Sequence, residues 1–279
     1  MTLRSACGIV LRVADYGEAD KLVTLYCSAL GRVTGIAKGA KRSKHRFVNK
    51  LEAFTLLRIF YRPPRSPMGL LLIGEAELLI AHLSLRTDFR RYAAAMYLGD
   101  LTLRFTRDND PEQRLYILLN WAFTALDQGK MPQQVITLFH LHLLATVGYR
   151  PELDHCIACR QAVRAGRSYI FLPGSGSLLC NTCSPGKNSH ALRLSIQTIR
   201  LLASAQSFEL NRLHRLHFPV HALTEAMAAL HSFSLHLLQQ DIHSWHLLHP
   251  LISDHPLGQV LDERDSIDGE TAPEVWTSR

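Results

Sequence analysis

Nowhere in the 279 residues does an apolar run reach 18 positions. The longest hydrophobic patches, such as Leu70-Leu71-Leu72-Ile73, stop at glycines and acids, which argues against a membrane span. The stretch from Met1 to Gly8 carries no long apolar segment, so no secretory signal is read and a cytoplasmic protein is expected. Catalytic signatures are missing too: no glycine-rich phosphate loop, nucleophile elbow or HExxH helix is present. Gly174-Ser175-Gly176-Ser177 resembles a serine elbow only loosely and reads better as a linker. Carboxylates do not cluster in the pairs that metal-dependent nuclease chemistry needs, so the chain reads as non-enzymatic. Cysteine is scarce, with six in the chain. Without an export signal, these six are expected to be thiols or metal ligands rather than a disulfide framework.

What is abundant is positive charge in one place. The formal net charge is +7, and residues 1–80 alone hold 13 Lys+Arg against 6 Asp+Glu. The remaining residues balance at 18 of each sign. Between positions 32 and 65 ten basic residues face a single acid, Glu52. Such an imbalance attracts a polyanion, most commonly nucleic acid. A solvated basic surface with no partner is the plain alternative.

The same 80 residues read as five short strands: Cys7–Ala14, Lys21–Ser28, Arg32–Lys38, Ala53–Tyr61 and Gly69–Ala76. Five strands in that length suggest a small closed sheet, with an OB-type barrel the natural candidate and an SH3-like barrel left open by pattern alone. Near residue 82 the period becomes helical. Phe89, Tyr92, Ala93, Met96, Tyr97 and Leu101 share one stripe, and Leu115, Leu118, Leu119, Ala122, Phe123 and Leu126 share another. Asp110-Pro111 looks like a cap and first turn, Pro132 opens a third helix, and Gly148 ends it. Helix returns at about 192–203 and 220–240, and the polar stretch from about 262 to 279 is expected to be disordered. The organisation expected is α+β: barrel 1–80, helical domain 81–150 and 191–252, a cysteine-bearing insertion 151–190, and a polar tail 253–279.

Within the insertion, Cys156-Ile-Ala-Cys159 and Cys180-Asn-Thr-Cys183 stand twenty residues apart. A two-residue gap lets a tight turn aim both sulfurs at one ion, and two such turns complete a tetrahedron, the pattern of one structural Zn2+. A redox pair fits two CxxC units in an irregular segment poorly. His155 is a possible competing ligand, while Cys7 and Cys27 read as strand core. Ten of fifteen histidines lie between His190 and His255. His214, His217, His221, His231, His236, His243, His246 and His249 scatter around helical faces, favouring surface or boundary positions over a second metal site.

The sharpest nucleic-acid candidate is the run Lys38 to Phe47, whose cations Lys38, Lys41, Arg42, Lys44 and Arg46 would lie on one mobile loop and neutralise phosphates without sequence preference. Phe47, Phe54, Tyr26 and Phe60 are possible base-stacking groups, each individually better read as barrel core.

Four segments resemble the bacterial DNA-repair and recombination family RecO: GIVLRVADYGEADKLVTLY from Gly8, GIAKGAKRSK from Gly35, LLATVGYRPELDHCIAC from Leu143 and GSLLCNTC from Gly176. Their order and spacing cover roughly residues 5–250. The resemblance implies an OB domain, a helical domain and a zinc-binding insertion in a bacterial, nucleoid-associated protein. It implies binding of single- and double-stranded DNA, annealing of complementary strands, and RecA loading with RecR. It also implies contact with the acidic C-terminal tail of the single-stranded DNA-binding protein, SSB. Arg86, Arg90, Arg91 and Arg104 are candidates for that tail's carboxylate. Some relatives lack the cysteines, which makes zinc structural support, and the acidic tail here has no counterpart in the family pattern. A zinc-containing RNA-binding protein and a metal-dependent nuclease remain the rival readings.

Overall fold

The computed structural model describes residues 3–64, 66, 69–184 and 191–252. Strands β1 (Arg4–Tyr16), β2 (Asp20–Cys27), β3 (Gly31–Ala37), β4 (Leu56–Arg62) and β5 (Leu71–Ile80) form a closed barrel in the order β1-β2-β3-β5-β4. All pairs are antiparallel except β3 with β5, so the chain crosses the barrel once, in the OB arrangement. Alternation fills the interior with Val10, Val23, Leu25, Val33, Leu57, Ile59, Leu71 and Ile73. A register shift between Val10 and Arg12 bends β1, which pairs with β4 in its first half and with β2 in its second.

Helices α1 (Ser84–Thr87), α2 (Phe89–Phe105), α3 (Gln113–Asp127) and α4 (Pro132–Thr146) follow, then α5 (Ile196–Ser207), α6 (Val220–Leu238) and α7 (His243–Ile252). Asp88 caps α2 by accepting the Arg90 and Arg91 N–H groups, and Pro132 opens α4 at its first position, as its pre-set φ favours. Among the described residues no helix is long and apolar enough to cross a membrane.

Two local expectations are corrected. Helix α3 is capped by Glu112, whose side chain accepts Arg114 N–H, instead of by Asp110. Asp110 is drawn away because its backbone lies against Gly31: a Cβ there would fall 2.3 Å from the Asp110 carbonyl oxygen. Phe89, assigned to a core stripe, is 59% exposed, since it sits at the first position of α2 and the buried face begins with Ala93.

Barrel and helices share one apolar cluster. Ile9, Leu11, Tyr26, Phe54 and Leu56 pack with Tyr92, Leu98, Leu119 and Phe123. Phe54 meets Tyr92 and Phe123 edge-on at 5.6 and 5.3 Å. Arg32 adds an ion pair to Asp108 (2.6 Å) and a hydrogen bond to the Leu103 carbonyl.

Residues 151–190, expected to be irregular, supply β6 (Glu152–Cys156), β7 (Tyr169–Leu172) and β8 (Ser177–Cys180) of a second sheet, and β9 (Leu192–Leu194) completes it where helix was expected, in the order β6-β8-β7-β9. Its apolar residues Leu153, Tyr169, Phe171, Leu178 and Leu194 join a second cluster with α4, α5 and α6. The Gly174–Ser177 segment is the tight turn of the β7–β8 hairpin, with Gly176 at φ +61° and closely packed on Phe233. Two strands flank it, so it is neither a linker nor the strand–turn–helix of an elbow. The tail expected beyond Ile252 lies outside the described residues.

Candidate nucleic-acid interface and metal centre

The basic run leaves β3 at Lys38, reverses at Gly39 (φ +67°) and forms a 3-10 turn over Ala40–Arg42. It is tied down, not free. Gly39 N–H donates to Asp20 Oδ1 (2.8 Å) and Lys41 N–H to the Ala19 carbonyl (3.0 Å). Ala40, Phe47 and Leu51 are buried in the barrel core, and Phe47 N–H donates to Ser43 Oγ. The loop expected to be mobile is thus anchored at several points by hydrogen bonds and buried side chains.

The five cations differ in availability. Lys41 Nζ is bound to Asp15 (2.9 Å) and to the Gly17 carbonyl, and its side chain is only 26% exposed. Arg46 donates to the Gly74 and Lys38 carbonyls, with its guanidinium 5.2 Å from the Phe47 ring centre. Arg42 reaches Glu18 only at 3.9 Å and is 73% exposed. Lys38 and Lys44 are exposed and have no ion-pair partner among the described residues. Lys38, Arg42 and Lys44 are therefore the cations with charge to spare.

The four aromatics named from sequence do not offer a stacking platform. Phe47, Phe54 and Tyr26 are buried, and Phe60 is half-buried on the outer side of β4. The aromatic that sequence reading missed is Tyr16, half exposed at the end of β1. It stands between Asp15 and Gly17, the two residues that hold Lys41. Its turn-forming neighbours Gly17-Glu18 disguise it as punctuation. Beside it a register row crosses the barrel through Leu22, Ile36 and Leu72, all half-buried and outward-facing.

β6 and β8 pair in parallel with Cys156 opposite Leu178, and Cys180, two residues further along β8, donates its N–H to Cys156 Sγ (3.4 Å). Cys156 ends β6 and Cys180 ends β8. Each is followed by a tight turn that delivers the second sulfur: Arg160 N–H closes the first on the Cys156 carbonyl, and Cys183 N–H the second on Cys180. All four Sγ atoms lie within 4.8 Å of one another, with Cys159 and Cys180 3.9 Å apart. The Thr182 hydroxyl, then Cys183, hold the Cys180 thiol down at about 6. Burial pushes Cys156 up, but N–H donors from Cys159, Cys180 and Ala158 outweigh it and lower the thiol. The proton goes to Cys183, pushed up to about 12 by its hydrogen bonds to Cys180 and Cys159. With four sulfurs this close together, the cluster can hold a metal ion. His155 Nε2 instead accepts from Arg160 (3.0 Å) and is not in the cluster.

Of the eight scattered histidines, His217, His221, His236, His243, His246 and His249 are exposed as expected, and the His214 side chain lies outside what the structure describes. His231 is not exposed: it is buried, bonded to Tyr97 Oη (3.1 Å) and stacked on Trp245 at 3.9 Å.

Two family profiles match. The recombination protein O N-terminal profile covers residues 1–81 and the recombination protein O C-terminal profile covers residues 86–246. The chain is 37% identical over 202 residues to the DNA repair protein RecO of Anaeromyxobacter sp. (strain Fw109-5), spanning 72% of this chain and 78% of that one. It is 33% identical over 210 residues to the same-named protein of Syntrophobacter fumaroxidans, spanning 75% and 82%. With that of Syntrophus aciditrophicus it shares 28% over 243 residues, spanning 86% and 93%.

Proposed function

The chain belongs to the recombination protein O (RecO) family, which gives it a role in DNA repair and recombination, and we propose that it acts there as a non-enzymatic mediator. It binds single- and double-stranded DNA, anneals complementary strands, and with RecR helps to load RecA onto single strands coated by SSB. The observation that carries this reading is the anchored basic loop on an OB barrel, with Lys38, Arg42 and Lys44 exposed and Tyr16 exposed on the neighbouring β1 end. Cations fixed in place neutralise the phosphates of a strand at little ordering cost, and they make no demand on base identity. The Tyr16 ring offers one base a π-face. Annealing then follows from charge neutralisation and proximity: two strands that repel each other are held together while their base edges stay free.

The SSB tail is assigned to the groove between α3 and α4, a cavity of about 410 Å³ lined by Trp121, Met131, Leu138 and Leu213 with Lys130 beside them. An apolar carboxyl-terminal side chain fits its lining, and Lys130 supplies the cation for a carboxylate. Of the arginines named from sequence none lines it; Arg91 and Arg104 are committed to Asp88 and Asp100.

The metal in the cysteine cluster is zinc in this reading. Four thiolates at about 2.3 Å from a tetrahedral ion stand about 3.8 Å apart, close to the 3.9 Å between Cys159 and Cys180. When bound, the ion supplies structure only, because a closed four-sulfur shell leaves no position for substrate.

The test is fluorescence anisotropy with matched DNA and RNA oligonucleotides, together with incubation of labelled DNA with magnesium or manganese. Salt-dependent binding of DNA, in competition with RNA and without cleavage, supports the proposal. Preference for RNA, or fragments with either metal, would overturn it.

A further inference from the structure

The corner between α6 and α7 gathers three metal-competent side chains that the proposed function leaves unused. Gln239, in the left-handed region at φ +50°, ends α6, and Asp241 stands just ahead of α7. The Asp241 carboxylate accepts at Oδ2 from His243 Nδ1 (2.7 Å) and from His246 Nε2 (3.0 Å). The acid precedes the helix instead of lying between the histidines, so their spacing alone gave no sign of it. We propose that Asp241, His243 and His246 bind one divalent cation of borderline softness, of the zinc, nickel or copper kind, separately from the cysteine cluster.

Three observations carry it. First, the backbone that presents the triad is anchored. Ile242 is buried among the helices, Ser244 is buried with its hydroxyl donating to Asp100 Oδ2 (2.8 Å), and Trp245 stacks on His231. With those three positions turned inward, Asp241, His243 and His246 face solvent, their side chains 46%, 85% and 68% exposed. Second, the donor spacing is close to that of a coordination shell. Donors about 2.0–2.1 Å from an ion stand about 3.3 Å apart on a tetrahedron and about 2.9 Å apart on an octahedron, against the 2.7 and 3.0 Å found through Oδ2. An ion takes the place of the two shared hydrogens, each neutral imidazole carrying its proton on the other ring nitrogen. Third, two imidazoles and one carboxylate select borderline transition metals over Mg2+ and Ca2+, which take oxygen shells.

The triad closes on its ion. Among the described residues the four cysteines are the one group whose ligand atoms all lie within 4.8 Å of one another. The His243 ring, the most exposed of the three, turns toward His246 to complete the set, and water fills the remaining positions. Such an ion is held more weakly than one in the closed four-sulfur shell, and it fastens the α6–α7 corner only while bound.

The experiment titrates Zn2+ by calorimetry into the full chain whose cysteine cluster already holds one equivalent, verified by elemental analysis. One further equivalent should bind, at least about tenfold more weakly in Asp241→Asn and in His246→Ala, and not at all when the two changes are combined. His45→Ala and His221→Ala, exposed histidines elsewhere, should leave it unchanged, and Mg2+ in place of Zn2+ should give no heat beyond dilution. Circular dichroism without added metal checks that each variant is folded. As an independent readout, Cu2+ on the full chain should show two nitrogen donors by electron paramagnetic resonance, and one in His243→Ala. Absence of a further equivalent would overturn the proposal. So would an equivalent that survives the combined change or a copper spectrum indifferent to His243→Ala, since the ion would then sit on other histidines.

Discussion

The barrel and the cysteine-bearing sheet are both small β structures, and they solve the same problem in opposite ways. The barrel closes on itself and owns a core, so its basic loop is held by hydrogen bonds and by Phe47 and Leu51 seated inside. The second sheet has strands of only three to five residues, and its apolar side chains are completed by α4, α5 and α6. Its turns are drawn together by four sulfurs. On the proposed reading the barrel presents charge to a partner while the second sheet holds itself together, so function and support are divided between the two.

The largest test of that division is metal removal. Cys156→Ser, or a strong chelator, should cost at least about 3 kcal/mol of helical-region stability, read as an earlier thermal transition with loss of bound zinc by elemental analysis. Single-strand affinity should stay within about twofold; a parallel loss would mean that the two regions are not separable. Next is the joint between barrel and helices. Gly31→Ala has no room beside the Asp110 backbone and demands φ near +68° of a residue with a Cβ, so roughly 3 kcal/mol should be lost by denaturant titration.

Acid should separate the regions further. Burial first, then the neighbouring His231, depresses His140 to about 3, and burial depresses His231 to about 4. Both are neutral when folded and take up protons near pH 6.5 when unfolded. Stability is therefore complete above pH 6.5 and declines as pH falls toward 4, by about 1 kcal/mol per histidine between pH 7 and 5.5. His231→Gln should flatten that slope.

Smaller effects sharpen the picture of the barrel itself. Lys38→Ala, Arg42→Ala and Lys44→Ala together should weaken single-strand binding roughly 20-fold at low salt for all sequences alike and reduce the salt slope by about 2. Lys41→Ala, already neutralised by Asp15, should do much less. Tyr16→Ala should cost about fivefold with little change in salt slope, because a stacked base carries no counterions with it.

Much of this was legible in the sequence. The five barrel strands, the helical stripes and the four clustered cysteines announce themselves by period and spacing. What was not legible depended on neighbours distant in sequence. Asp110 failed to cap its helix because Gly31 holds it. His231 read as a surface or boundary residue, whereas Tyr97 and Trp245 enclose it. The second sheet escaped because three- to five-residue strands are too short for an alternation to register. Five cations in a row likewise gave no hint that Lys41 and Arg46 are occupied and that Lys38, Arg42 and Lys44 are available.

The most direct test of the basic barrel loop as the working surface is strand annealing. Complementary oligonucleotides, bare and SSB-coated, are mixed with the full chain or with the Lys38→Ala, Arg42→Ala, Lys44→Ala variant, without nucleotide or magnesium. Acceleration by the full chain, lost in the variant and leaving both strands intact, is the expected result. Equal acceleration by both proteins, or no acceleration despite intact binding of bare strands, would contradict it.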